Sequence, residues 1–249
     1  MKISGFCFVH DALAGGYPVD CAIRAVQPFV DEVVAVDMES TDGTRELLGR
    51  LPCRVLDSEW GEDNWKQERG DQVLVKAFRR NVECQGDVIV MFEADEVYDW
   101  TLLQEVVRLV RAEGKRDLVV WRLQLEQNFQ RCRWWPRTVH RIFPKGEGSY
   151  DLNPVFHGAG IEAVGPEHGF LWDVAACFRD NWAARRRNQA ELWRESRNLR
   201  VAQHFAEPNE YQDEAAFLAE PQWTWTRTPF AIPKVLEPHV GRTRYEPGV

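Results

Sequence analysis

Several features that assign a protein quickly are scarce or missing in this 249-residue chain. The six cysteines, at 7, 21, 53, 84, 132 and 177, form no C-x-x-C pair and have no histidine cluster beside them. That spacing argues against a zinc site or a disulfide frame and suits reduced, buried thiols. Positive charge is in deficit, with a net charge of -8, which argues against general nucleic-acid binding. No apolar window reaches the roughly 18 residues of a membrane-spanning helix. The opening stretch Met1-Lys2-Ile3-Ser4-Gly5-Phe6-Cys7-Phe8-Val9-His10-Asp11 is apolar for too few residues to act as a signal peptide. A cytoplasmic location is therefore expected, extending to the inner face of a membrane as a peripheral protein. Internal repeats and low-complexity segments are also missing.

What is present is an ordinary globular composition, 44% hydrophobic and 28% charged. In the first half, apolar strands alternate with amphipathic helices. Strands are predicted at 3–9, 32–36, 54–56 and 87–92, with helices at 18–26, 41–51, 71–84 and 101–113. This alternation predicts βαβ units and a mostly parallel sheet covered on both faces. Beyond about residue 117 the pattern changes. Strands are predicted at 117–125 and 138–143, glycine-marked loops follow, and a helix is predicted over 181–205. Most of the eleven tryptophans lie in this part, and the last thirty residues hold five prolines. The expectation is one α/β domain with an elaborated C-terminal half: 1–115 as the ligand-binding α/β part and 116–249 as the remainder of the same domain.

Three apolar strands end in acidic residues: Val9-His10-Asp11, Val36-Asp37, and Phe92-Glu93-Ala94-Asp95-Glu96. Ligands of open parallel sheets bind beyond the carboxyl ends of the strands. Side chains two apart in an extended segment point the same way, so Glu93 and Asp95 can converge on one point. Two carboxylates held that close need a cation between them or a proton on one of them. A hard divalent ion, Mg²⁺ or Mn²⁺, meets that need and shares such sites with substrate phosphates. The alternative is a solvated loop in which Asp95 or Glu96 caps the next helix. In Asp37-Met38-Glu39-Ser40-Thr41-Asp42-Gly43-Thr44, capping explains Ser40, Thr41 and Asp42 but not Asp37. A carboxylate at that strand end suits hydrogen bonding to a ribose or a base.

Together these blocks resemble the family 2 glycosyltransferases of the GT-A, Rossmann-like fold. The resemblance is carried by Asp31-Glu32-Val33-Val34-Ala35-Val36-Asp37, by Ser40-Thr41-Asp42-Gly43-Thr44, and by Gly86-Asp87 leading through the apolar strand to Glu93-Ala94-Asp95-Glu96. A fainter echo, Tyr150-Asp151-Leu152-Asn153-Pro154-Val155-Phe156-His157, is similar to a block in small lipopolysaccharide-core and capsule-type members. The resemblance implies a hexosyltransferase-type enzyme that uses a nucleotide-sugar donor, foremost a UDP-sugar, and a divalent metal, usually with inversion. It implies Asp11, Asp37, Glu39, Arg80 and Glu93 for the donor, Glu93 and Asp95 for the metal, and Asp151 as general base. Lys76 and Arg79 are alternatives to Arg80. The first acid of the metal element is glutamate rather than the usual aspartate. The late histidine of many relatives is replaced by Ala175-Ala176-Cys177-Phe178. His157, His168 or water then supplies any third ligand, with His157 the leading candidate.

Arg185-Arg186-Arg187, in a stretch with seven arginines from 179 to 200, reads as a solvated helix face or as a contact for an anionic acceptor or membrane. Trp134, Trp135, Trp223 and Trp225 are core or interface residues, or platforms for a sugar ring. Acceptors compatible with the sequence are a glycan, a lipid-linked or protein hydroxyl and, less well matched to the charge, DNA. Two other functions fit parts of the pattern. A sugar-nucleotide nucleotidylyltransferase would normally have a basic Gly-rich loop after the first strand, but His10 to Tyr17 holds no Lys or Arg. A non-catalytic sugar- or nucleotide-binding relative fits the Glu93 replacement.

Overall fold

The computed structural model describes residues 1–60, 71–126, 129, 131–133, 137–147, 161–178, 225–227, 231–242 and 244–248. Asp151, His157 and the 179–200 arginine stretch lie outside the described residues, as do Trp134, Trp135 and Trp223.

The first strand, β1 (Ile3–Val9), runs into a single helical turn, α1 (Ala12–Gly15), and then α2 (Val19–Val26). Next come β2 (Glu32–Asp37), α3 (Thr44–Leu48), β3 (Arg54–Asp57), α4 (Asp71–Arg79) and β4 (Val88–Met91). A short β5 (Glu96–Tyr98) leads to α5 (Trp100–Glu113). The remaining strands are β6 (Leu118–Glu126), β7 (Arg131–Arg133), β8 (Arg137–Pro144), β9 (Glu162–Ala163), β10 (Leu171–Ala176) and β11 (Trp225–Arg227). All belong to one sheet, whose main path is β11-β7-β6-β8-β4-β1-β2-β3.

The expected α/β class and parallel core are present. Strands β3, β2, β1 and β4 are mutually parallel, and β8 then pairs antiparallel to β4. The parallel strands read as unbroken apolar runs because both of their faces are buried. Ile3, Cys7, Val9, Val33, Ala35, Val88, Val90 and Phe92 share one core cluster with α2 and α5. Their alternating neighbours Phe6, Phe8, Val34, Val36, Ile89 and Met91 share the other with Val73, Ala77 and Phe78 of α4.

The acids that open the motifs are structural. Asp31 Oδ2 accepts the Ile3 N–H at 2.7 Å, and Asp87 Oδ2 accepts the Lys2 N–H at 3.0 Å. Glu32 accepts the Ser4 hydroxyl at 2.7 Å, and Ser4 Oγ accepts the Gly86 N–H at 2.8 Å. These bonds tie the amino ends of β1, β2 and β4 together. Glycine is required at 86 because a Cβ there would lie 2.5 Å from the Ser4 nitrogen and 2.8 Å from the Ile3 carbonyl carbon. Gly86→Ala is expected to destabilise the fold by about 3 kcal/mol, the upper end for overpacking, since backbone rather than a flexible side chain is in the way. Urea unfolding measures it, and a loss below about 1 kcal/mol would refute this account of the motif.

Residues 231–242 and 244–248 return to pack on α2. Cys21 Sγ lies 3.4 Å from His239 Nε2, and Asp20, itself buried, accepts the Tyr245 hydroxyl and, at 3.3 Å, the Gly248 N–H. Burial holds the His239 pKa below its ordinary value, with Asp20 and Glu246 opposing and Arg242 assisting the shift. The unfolded chain therefore takes up this proton more readily than the folded one. The contribution of His239 to stability is complete above about pH 6.5 and declines as pH falls below it. His239→Gln is expected to flatten that part of the stability profile, measured as urea midpoints across the same window.

Candidate functional site

The sheet order reverses at β1: β2 and β3 lie on one side and β4 on the other. This is the kind of switch point at which open α/β sheets bind ligands. A cleft of about 170 Å³ opens there, lined by Phe8, Val9 and His10 at the end of β1, Met38 after β2, and Glu93, Ala94 and Asp95 after β4, with Tyr17, Trp60 and Leu74 completing the wall. The amino ends of the same strands carry acids that hold the fold, whereas the carboxyl end of β4 leads to Glu93 and Asp95, which face the cleft.

Asp37 closes β2 in register with Val9 and Asp57. Its residue is 5% exposed, and its Oδ1 has no hydrogen-bond partner. Arg45 Nη1 is 3.8 Å from Asp37 Oδ2 and 2.8 Å from Asp57 Oδ1, so the cation sits closer to the exposed acid. A buried carboxylate oxygen left unpaired carries a desolvation cost that a ligand donor would relieve.

The loop after β2 does more than serve its own helix, where Asp42 Oδ1 accepts the Thr44 N–H at 2.9 Å. Ser40 Oγ accepts the Asp11 N–H at 3.0 Å, Thr44 Oγ1 the Leu13 N–H at 3.2 Å, and Asp42 Oδ2 the Ala14 N–H at 2.6 Å. Ser40, Thr44 and Asp42 thus satisfy the free amide groups at the start of α1 across a gap of about thirty residues in sequence. Asp11 returns the contact, its Oδ1 accepting the Thr41 N–H at 2.7 Å. The predicted helix over 41–51 is accordingly shortened to Thr44–Leu48, and Gly43 before it adopts φ 94°. Glu39 also has a left-handed backbone, φ 54°, and its Oε2 accepts the Trp60 N–H at 3.1 Å. Trp60 stacks on the His10 ring, with centroids 3.8 Å apart and planes within 11°, while His10 Nδ1 lies 2.6 Å from the Met38 carbonyl. Sequence reasoning missed this aromatic wall. Its signal was a lone tryptophan in the polar stretch Ser58-Glu59-Trp60-Gly61.

The carboxylates after β4 divide their roles. Glu96 does not cap a helix from a solvated loop but is a fully buried residue at the start of β5. Arg141, on β8 and also buried, reaches Glu96 Oε2 through Nε at 2.9 Å and Oε1 through Nη2 at 2.8 Å. The same Nη2 meets Glu93 Oε1 at 2.7 Å. Arg122 approaches Glu96 at 3.2 Å and Asp173 at 3.8 Å. Burial alone would raise the Glu96 pKa, but Arg141 and Arg122 overcome it and hold the carboxyl below its ordinary range. For Glu93 burial prevails over Arg141, and the pKa rises. Asp95 lines the cleft, and its carbonyl accepts the Val174 N–H at 2.9 Å.

Arg80 lies in the 3₁₀ turn Arg80–Glu83 that follows α4, its guanidinium on the Asp57 carbonyl and the Glu83 carboxylate. His168, in the 3₁₀ turn Pro166–His168, lies 3.6 Å from Glu167. The structure therefore brings Glu93, Asp95 and His10 to one cleft, whereas Asp11 and Asp37 do not line it, although their neighbours His10 and Met38 do. Among the described residues no group of three or more His, Cys, Asp or Glu side chains is placed to hold a metal by itself. One or two carboxylates completed by substrate phosphates are the usual donor set of Mg²⁺, and Asp95 with Glu93 beside it fits that set. No helix among the described residues is long and apolar enough to cross a membrane.

Comparison with known proteins meets the glycosyltransferase resemblance again. No family model matches the chain. A curated relative from Rickettsia felis, named an uncharacterized glycosyltransferase, is 27% identical over 124 residues, covering 50% of this chain and 39% of the relative. One of the same name from Rickettsia bellii is also 27% identical over 124 residues, with 50% and 38% covered. The chain thus spans about two fifths of the length of the curated relatives it matches. Among solved structures, S. aureus TarS aligns over 50% of this chain and 22% of its own, with 16% identity and a TM-score of 0.38. M. tuberculosis glucosyl-3-phosphoglycerate synthase, solved with Mn²⁺, UDP and glucosyl-3-phosphoglycerate, aligns over 49% and 44%, with 21% identity and a TM-score of 0.36.

Proposed function

We propose that this chain is a metal-dependent, inverting glycosyltransferase that moves a sugar from a UDP-sugar to an acceptor hydroxyl. The observation that carries the reading is the cleft at the β1/β4 switch point, with Glu93 and Asp95 on its wall and the unpaired oxygen of Asp37 on the residue before the lining Met38. Asp37 accepts a hydrogen bond from the donor's ribose or base, and the His10–Trp60 stack offers an aromatic surface beside it. Asp95, with Glu93 adjacent, holds the divalent metal. When bound, the metal supplies charge neutralisation at the departing diphosphate. Asp151 is proposed as the base that takes the acceptor proton. Residues 1–115 form the donor part of the domain, and 116–249 provide the acceptor side. A binding-only relative is the second reading, favoured by the contact of Glu93 with Arg141. Release of UDP by the native chain separates the two.

A thermal-shift screen of UDP-, GDP- and dTDP-sugars with and without Mn²⁺ tests the site. A ligand at a hundred times its dissociation constant adds about 2.7 kcal/mol. For a chain of this size that is a rise of roughly 5–10 °C, expected for UDP-sugars with Mn²⁺. If no nucleotide raises the melting temperature, the assignments of Asp37 and Asp95 fall together.

A further inference from the structure

Arg141 comes from a strand that no nucleotide-binding motif includes, yet it touches both glutamates that flank Ala94-Asp95. Its place is fixed by the sheet, since its neighbour Ile142 pairs with Val90 of β4. The turn it grips is closed from within: the Glu96 N–H donates to the Glu93 carbonyl at 3.0 Å, and the Glu93 N–H donates to Glu96 Oε2 at 3.0 Å. Arg141 completes this closure with three contacts of 2.7–2.9 Å to the two side chains. Glu93 therefore faces the cleft with one carboxylate oxygen already occupied by a cation. A divalent ion on the same carboxylate would put two positive centres within a few ångströms of each other at a part-buried position, where their repulsion is weakly screened.

We propose that Arg141 is the positioning residue of this turn and that it withdraws Glu93 from direct metal contact, leaving Asp95 as the turn's metal-ligating carboxylate. The proposal rests on the donor-site reading above and sharpens it. Glu93 and Glu96 become the support that aims Asp95, and the glutamate at 93, a side chain longer than the usual aspartate, is what allows its carboxylate to reach back to β8. Supporting groups of this kind typically change metal affinity by about 10- to 100-fold when replaced.

The test is Mn²⁺ binding to the full chain in the presence of UDP, read from loss of the free-ion electron paramagnetic resonance signal. Folding of each variant is checked by circular dichroism. Relative to the native chain, Glu93→Gln and Arg141→Lys are each expected to raise the dissociation constant about 10-fold, as supporting groups do, and Asp95→Asn to raise it about 100-fold. Should Arg141→Lys fail to fold, Glu96→Gln, which keeps the shape of the turn while removing its buried charge, is expected to raise the constant to a similar extent. Equal losses in Glu93→Gln and Asp95→Asn would overturn the proposal by making Glu93 a ligand. Native affinity in folded Arg141→Lys or Glu96→Gln would overturn the positioning role. A native chain that binds no Mn²⁺ with UDP present would instead remove the donor-site reading, and this proposal with it.

Discussion

Replacing Asp95 with asparagine is expected to cut Mn²⁺-stimulated release of UDP from a UDP-sugar by about 100-fold or more. The change is nearly isosteric, and the backbone at this position is held by the Val174 N–H on the Asp95 carbonyl, so the turn keeps its shape. What is lost is one negative charge on the cleft wall, where the proposed metal sits. Metal ligation of a leaving group is worth several kcal/mol of transition-state stabilisation, and each 1.4 kcal/mol is about tenfold in rate. The measurement is UDP release by native and variant chains at saturating Mn²⁺, with melting temperatures compared without ligand. Turnover within threefold of native, in a variant of unchanged stability, would remove Asp95 from the site.

Arg141→Met is expected to have the largest effect on stability. It leaves Glu96 fully buried with Arg122 as its remaining cation among the described residues, and removes a partner of Glu93 as well. Breaking one side of a buried pair costs about 3–5 kcal/mol, because the remaining charge stays desolvated. In a chain of this length that corresponds to roughly 6–20 °C in melting temperature. The double variant Arg141→Met/Glu96→Leu is expected to recover most of the loss, since a well-packed apolar pair is often no worse than a buried ion pair. Because Arg141 and Arg122 depress the Glu96 pKa, its stabilising share is present above the unfolded value of about 4.3 and is lost as pH falls through the folded one. Urea midpoints of the native, single and double variants check this. A single variant within about 1 kcal/mol of native would show the cluster to be solvated rather than buried.

Much of the first 115 residues was legible in the sequence, and for local reasons. A parallel strand buried on both faces must be apolar at every position, so β1, β2 and β4 announced themselves as runs. Their ends were marked by the first acids, and the rule that ligands sit at carboxyl ends pointed to Asp37, Glu93 and Asp95. The same rule did not separate Asp11, whose carboxylate binds the Thr41 N–H, from residues that only face the cleft. It also missed Arg141, although an arginine inside Val139-His140-Arg141-Ile142-Phe143 is out of place on a strand flanked by buried residues. That anomaly predicts a buried anion but does not name it.

The sequence by itself determined the alternation of strands and helices, the parallel core and the acidic ends of three strands, because side-chain period and burial act within a few residues. Tertiary structure alone decided what each acid does. The partner of Glu96 lies 45 residues away and that of Glu93 lies 48 away, brought into reach by the antiparallel pairing of β8 with β4. Ser40 and Asp42 cap a helical turn about thirty residues earlier in the chain, because β1 and β2 end side by side. Whether a carboxylate becomes a brace or a ligand depends on which cation the sheet delivers to it, and strand register over those distances is not written in any local pattern.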